Sequence, residues 1–271
     1  MKRFALLCTL PFAFLALAQT PAAPPTPATA PDLPACLVPT PRADEAGKAR
    51  QDEVLRRVRE ATGPVNVVFV GDSITQGWED AGAATWKRAF EPLGALQIGV
   101  GGDRTEHVLW RLQQAPLTAL APKVVVLMIG TNNAVTGRDS GEVIVRGVHA
   151  IVDLLHQQCP QAQVVVLDIP PRGLPMNPLR GLVLQVNQAL SQRAWGEHAC
   201  FVRVADRFVR PDGRIDEAAM PDQLHFSASG YEAWAQGIAP AVSAAMLKAT
   251  PVAATPSEPV QPAAPAPPTG R

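Results

Sequence analysis

The chain has 271 residues, enough for one sizeable domain and barely enough for two. Lys+Arg and Asp+Glu both number 24, so the formal net charge is zero and the chain lacks the basic excess of a nucleic-acid binder. Its 28 prolines are unevenly spread, with more than half in two terminal segments.

Met1–Ala18 has the form of a secretory signal peptide. Lys2 and Arg3 supply the charged start, Phe4–Leu17 is an apolar run too short to span a bilayer comfortably, and Ala16-Leu17-Ala18 is a small-x-small cleavage site. Cys8 lies within the apolar run and lacks the small residue expected before a lipidated cysteine. The expectation is an exported protein, periplasmic or extracellular, with no stable membrane insertion once the leader is removed. Three cysteines then remain, Cys36, Cys159 and Cys200, and export permits a disulfide between two of them. No Cys or His spacing suggests a metal site.

Residues 19–42 and 250–271 are rich in Pro and Ala and bury too little apolar surface to offset ordering entropy. They read as flexible arms around a domain spanning 43–249. Within that domain, apolar runs bounded by turn signals predict strands at Val65–Val70, Val124–Ile129, Val164–Ile169 and Phe201–Val204, with a weaker one at Ala95–Ile98. Stretches of helical period fall at about 44–60, 104–114, 141–158, 178–195 and 228–247. Strands alternating with helices imply right-handed crossovers and a parallel sheet covered on both faces. In such sheets the site lies at the carboxyl ends of the strands.

The first strand runs into Gly71-Asp72-Ser73, which puts a serine hydroxyl at a strand end and a helix start. On position alone Ser73 reads equally well as a helix cap. Thr75 stands where the G-x-S-x-G elbow has its second glycine, and no Gly-Lys-Ser/Thr follows for a phosphate loop. The second strand leads into Gly99, Gly101 and Gly102, which leave backbone N–H groups approachable. Arg104 occupies the position of the third glycine in a dinucleotide fingerprint, and His107 and Trp110 read as packing residues of the next helix. After the third strand comes Asn132, an amide able to donate to a developing oxyanion. Asp222 and His225 lie three apart, close enough for the carboxylate to hold the imidazole. Ser227 suits the cap of the last helix. His149, His156 and His198 read as surface or packing residues.

The joint order of serine, glycine loop, asparagine and Asp-x-x-His resembles the SGNH (GDSL-like) hydrolases over residues 64–245. Ser73, Gly102, Asn132 and His225 match the four residues of that family's name. GVGGDRTEHVLWRL, KVVVLMIGTNN and PPRGLPMNPLR are most similar to the catalytic subunits of intracellular platelet-activating-factor acetylhydrolase. Gln97 departs from that group, which usually has Asn ahead of the glycine loop. So do the leader and the Pro-rich arms.

The resemblance implies a three-layer α/β/α sandwich with a five-stranded parallel sheet of flavodoxin-like type. It implies a serine esterase with Ser73, Asp222 and His225 as triad. Backbone N–H groups of Ser73 and Gly102 and the Asn132 amide would form the oxyanion hole, supported by Asp72 and Gly101. No cofactor or metal is expected. The expected substrate is a small-molecule or glycan ester with a short acyl group, acetyl by preference. Longer-chain lysophospholipase or thioesterase activity, and a non-catalytic binding role, are the alternatives. A homodimer is compatible with the sequence. In this topology the fourth and fifth strands are neighbours, which makes a Cys159–Cys200 disulfide feasible, with Cys36 left free on its arm.

Overall fold

The computed structural model describes residues 33–249. The leader expected at 1–18, most of the first expected arm and the tail from 250 lie outside the described residues. Five strands form the sheet: β1 (Val67–Gly71), β2 (Ala95–Gln97), β3 (Val124–Met128), β4 (Gln163–Leu167) and β5 (Ala199–Val202). All are parallel, in the order β2-β1-β3-β4-β5. Three of them are nearly continuous runs of Val and Leu because helices cover both faces, so neither face needs polar residues.

Strand alternation sorts the core into two layers. Val68, Val70, Val125, Leu127, Val164 and Val166 face one layer. That layer holds α1 (Glu45–Glu60), α4 (Thr105–Gln114), α6 (Gly141–Gln158) and α7 (Pro178–Gln192). Val67, Phe69, Val124, Val126, Val165 and Leu167 face the other, packing on α8 (Ala228–Lys248). The short α3 (Ala83–Ala89) lies on that second side against α8.

Local signals start the helices where the sequence suggests. Asp44 accepts from Gly47 N–H at α1, and Ser140 from Val143 N–H at α6. Asn177 caps α7 with Pro178 in its first turn, and Ser227 accepts from Gly230 N–H at α8. The sequence gives no period for α3. Its Trp86 belongs to an aromatic cluster with Phe69, Trp78 and Phe90, ring centroids 4.8–6.1 Å apart, and that tertiary packing fixes it.

Two expectations are corrected. The domain begins before residue 43. Cys36 is fully buried, its thiol donating to Val143 O at 3.1 Å, while Thr105 Oγ1 donates to Cys36 O at 3.0 Å. Thr40 N–H donates to Glu106 O. These contacts hold residues 35–42 against α4 and α6 despite their prolines, so Cys36 is not a thiol on a free arm. The Cys159–Cys200 disulfide is absent, since all three described cysteines carry free thiols. Ala199 and Phe201 pack into the α6 layer with Cys159. Cys200, between them, turns to the opposite face of the sheet, beside Ala241, Ala244 and Ala245 of α8. Adjacent strands bring backbones close, but period-2 alternation along β5 turns Cys200 away from the layer in which Cys159, at the end of α6, is buried.

Candidate active site

The strand order reverses direction at β1, which has β2 on one side and β3 on the other. The crevice beyond the carboxyl ends at such a switch point is where open α/β sheets bind ligands. Ser73 sits there as the first residue of α2 (Ser73–Gln76). Asp72 caps that turn, its Oδ1 accepting from Ile74 N–H at 3.0 Å.

His225 reaches Ser73 from the other end of the chain, with Nε2 3.0 Å from Oγ. Its Nδ1 is 2.7 Å from Asp222 Oδ2. Asp222 Oδ1 accepts the backbone N–H groups of Leu224 (3.0 Å) and His225 (2.7 Å), so one carboxylate shapes its own turn and orients the ring. Gln223 completes the turn at φ 61°, a conformation uncommon for a side chain other than glycine. An ionised carboxylate only accepts, so the pairing assigns the proton to Nδ1 and leaves Nε2 to accept from the serine hydroxyl. Partial burial pushes the Asp222 carboxyl up, but the hydrogen bonds from the His225 ring and from the two backbone amides outweigh it. The carboxyl is held below its usual range.

The loop after β2 is tied down residue by residue. Gln97 Oε1 accepts from Gly99 N–H and Gln76 Oε1 from Gly101 N–H, both at 2.8 Å. The Gln97 amide also donates to Glu79, so the glutamine standing where the similar subunits usually have Asn still braces the loop. Gly102 takes φ +77°, a left-handed conformation open to glycine without strain. Neither Ser73 N–H nor Gly102 N–H has a protein acceptor among the described residues.

Asn132, in the first turn of α5 (Thr131–Val135), donates one Nδ2–H to Asp103 O at 2.9 Å and retains a second. Its neighbour Asn133 is fully buried and bonds Thr105, Glu106 and Asp139 instead. The structure therefore sets Ser73, Gly101 and His225 around one cleft, with Asp222 behind His225 and Asp72 next to Ser73, and it places Gly102 and Asn132 after the flanking strands β2 and β3 at the same edge of the sheet. A cleft of about 380 Å³ opens at Ser73 and His225, lined also by Gln76, Asp80, Gly101 and Tyr231. Tyr231 closes its floor and donates its hydroxyl to Ile74 O at 2.6 Å.

Burial raises the Asp72 carboxyl to about 7, and Asp103 adds to this, against the Ile74 hydrogen bond and the charges of His225 and Arg172. Burial also drives His107 down to about 4. That suits the packing role read from the sequence, in which its Nδ1 accepts from Arg104 N–H at 3.0 Å. Among the described residues there is no group of three or more His, Cys, Asp or Glu placed to hold a metal ion.

Sequence reasoning missed two arginines. Arg172, in the loop after β4, lies within range of Asp72 and Asp222, with Nη1 3.4 Å from Thr131 Oγ1. It belongs to the PPRG motif at a strand end, so the strand-end rule that found Asn132 would have found it. Arg42 sits behind the glycine loop and lies in a segment that composition marks as flexible.

A hydroxyl, an imidazole and a carboxylate in series at the carboxyl edge of a parallel sheet define the class of α/β acyl-transfer hydrolases. The model of the GDSL-like Lipase/Acylhydrolase family matches residues 69–233, and the chain belongs to that family. It is a carboxylic ester hydrolase. Among its relatives is platelet-activating factor acetylhydrolase IB subunit alpha1 of Homo sapiens. That protein is 43% identical over 166 residues, covering 61% of this chain and 70% of the relative. Subunit alpha2 of Bos taurus is 40% identical over 169 residues, covering 61% and 71%. Solved structures share the fold. A putative acylhydrolase from Bacteroides fragilis has TM-score 0.63 and 22% identity, over 76% of this chain and all of that one. A putative platelet activating factor from Streptococcus pneumonia has TM-score 0.61 and 19% identity, over 73% and 93%. No helix among the described residues is long and apolar enough to cross a membrane.

Proposed function

We propose that the protein is an exported serine esterase that hydrolyses short-acyl carboxylic esters, acetyl esters first among them. The observation that carries the reading is the continuous relay from Ser73 Oγ to His225 Nε2 (3.0 Å) and from His225 Nδ1 to Asp222 Oδ2 (2.7 Å). Ser73 Oγ attacks the ester carbonyl while Nε2 takes its proton. The tetrahedral oxyanion is held by the Ser73 and Gly102 N–H groups and the free Nδ2–H of Asn132. His225 returns the proton to the leaving alcohol as the C–O bond breaks, leaving acyl-Ser73. Water then attacks, gives a proton to His225, and the acid departs as Ser73 recovers its own.

Preference for a short acyl group is supported by the 40–43% identical relatives named acetylhydrolases, and by a cleft at the small end of ligand-pocket volumes. Export is supported by the pattern of residues 1–18. An exported enzyme meets acetylated sugars and polysaccharides, which makes glycan esters the first substrates to try.

The test is hydrolysis of a nitrophenyl ester series of increasing chain length by the purified protein and by Ser73→Ala. Removing the nucleophile is expected to lower kcat by on the order of 10⁶ with the fold intact. Residual activity above about a tenth of the unsubstituted rate would sink the assignment, since a nucleophile cannot be that dispensable. A rate that rises steadily toward long chains would overturn the acetyl preference alone.

A further inference from the structure

The glycine loop after β2 is held from behind by a residue outside the strand–helix alternation. Arg42 donates from Nη1 to Gly101 O, and the same nitrogen lies 3.4 Å from Asp103 Oδ1. The guanidinium also lies against Gly102, where an added Cβ would stand 3.0 Å from both Nη1 and Nη2. Its other donors are engaged on the far side: Nε and Nη2 reach Asp44 Oδ2 at 2.9 and 2.6 Å, and Asp44 is the cap of α1. The Arg42 backbone N–H donates to Gln51 Oε1 at 2.9 Å. The Arg42 side chain is 13% exposed and the Asp103 side chain 0%. Asp103 takes a second arginine, Arg111, on its other oxygen.

This geometry controls where an N–H points. The described chain has no cis peptide, so the unit joining Gly101 to Gly102 is trans. In a trans unit the C=O and the following N–H point in opposite directions. Anchoring Gly101 O on Arg42 therefore aims Gly102 N–H away from Arg42. Gly101 and Ser73 line one cleft, which is where that N–H is needed. A cation on the carbonyl also polarises the peptide and strengthens its N–H as a donor. The second donor is reached through Asp103, whose side chain faces Arg42 and whose carbonyl O accepts from Asn132 Nδ2.

We infer that Arg42 is a positioning residue for the oxyanion hole, setting the direction of Gly102 N–H and, through Asp103, the placement of Asn132. The inference rests on the proposed serine-esterase reading. Arg42 lies on the side of the peptide away from the cleft and does not touch substrate, so its loss should appear in transition-state stabilisation and not in ground-state binding.

The test uses the full chain with Arg42→Ala, Arg42→Gln and Arg42→Lys. Active sites are titrated with a fluorophosphonate, and kcat and KM are measured on a short aryl ester. A boronic acid, which forms a tetrahedral adduct on serine, reports oxyanion-hole quality at equilibrium. Arg42→Ala is expected to lower kcat about 10- to 100-fold, less than the ~10²–10³ of deleting a donor outright, because the N–H is misaimed and not removed. Boronate affinity should fall in parallel, with KM little changed. Arg42→Lys should recover part of the loss, because one ammonium can reach Gly101 O but cannot hold it and Asp44 together. Added guanidinium at millimolar concentration should partly restore the Ala variant.

A folded Arg42→Ala protein with kcat within about twofold of the unsubstituted chain would overturn the inference, since a donor so little disturbed was not being positioned. A loss carried wholly by KM would overturn it too. If the Ala variant lacks a cooperative melt, the Gln and Lys variants decide, and equal kcat in both would reject a positioning role. Inactivity of the unsubstituted chain, or full activity of Ser73→Ala, would sink the esterase reading itself.

Discussion

Asn132→Ala isolates one donor whose surroundings are known atom by atom. The side-chain nitrogen carries two N–H groups; one is spent on Asp103 O at 2.9 Å, and the other is the donor proposed for the oxyanion. Deleting a single oxyanion donor typically costs ~10²–10³ in kcat, about 2.7–4 kcal/mol of barrier. The substitution also strips Asp103 O of its donor, and an acceptor left unsatisfied costs about 1–3 kcal/mol of stability if water does not reach it. Both effects are measurable separately. Steady-state kinetics on a short aryl ester should show kcat falling by two to three orders of magnitude with KM changed only a few-fold, as expected for a contact made chiefly in the transition state. Thermal melting should show a modest drop. Asn132→Asp is a sharper companion, because it keeps the shape but places an acceptor, and in its ionised form a negative charge, where the oxyanion forms. It should be no more active than the Ala variant. A rise in KM alone would make Asn132 a substrate-binding residue. A kcat loss under about fivefold would remove it from the oxyanion hole, being far below the usual worth of such a donor.

The remaining expectations probe the scaffold around the site. At Gly99 an added Cβ would lie 2.7 Å from Thr75 C and closer still to Gln76 N, both backbone atoms of α2, so Gly99→Ala should destabilise by about 1–3 kcal/mol and disturb the turn that presents Ser73; an unchanged melting curve and kcat would refute this. Burial pushes Asp72 up from its ordinary 3.8 to about 7, so the stability that its protonation contributes is fully present below about 3.8 and is lost as pH rises through 7. The melting temperature of Asp72→Asn relative to the unsubstituted protein should therefore increase between pH 4 and pH 8, and a flat difference across that window would contradict it. A chain beginning at residue 43 lacks buried Cys36, the Thr40 hydrogen bond and Arg42. It should melt several degrees lower, at about 2–4 °C per kcal/mol lost for a domain of this size, and turn over more slowly than one beginning at 33. Equal behaviour of the two would show that residues 33–42 contribute nothing.

Much of this site is legible before any coordinates, because the features that mark it are local. Ser73 follows a buried apolar run, Gly99–Gly102 and Asn132 follow two more, and Asp222 and His225 are close enough to pair within one turn. Hydrophobic period and turn chemistry act over a few residues, so the strand–helix alternation and the parallel sheet follow from them. The bounds of β5 and α7 shift by a few residues from expectation, as element ends commonly do.

What the sequence does not carry is non-local. The sequence marks Asn132 at a strand end, but that its neighbour Asn133 is turned inward depends on the roll of a five-residue helix, in which Asn133 bonds Thr105 and Asp139. That Cys159 and Cys200 do not bond depends on which face of β5 Cys200 takes, since Cys159 ends α6 on one side of the sheet. One residue of register would exchange the faces of β5, and register is decided by the packing of the whole sheet. Residues 35–42 look like a free arm by composition, yet a single buried cysteine and a few hydrogen bonds dock them and bring Arg42 against the glycine loop. Composition averages over a segment, whereas docking is decided by the few groups that find partners far along the chain. The sequence by itself therefore determined the class of fold and the chemistry available at its rim. Only the tertiary structure decided which side chains aim that chemistry, because aim depends on contacts between residues that no local pattern relates.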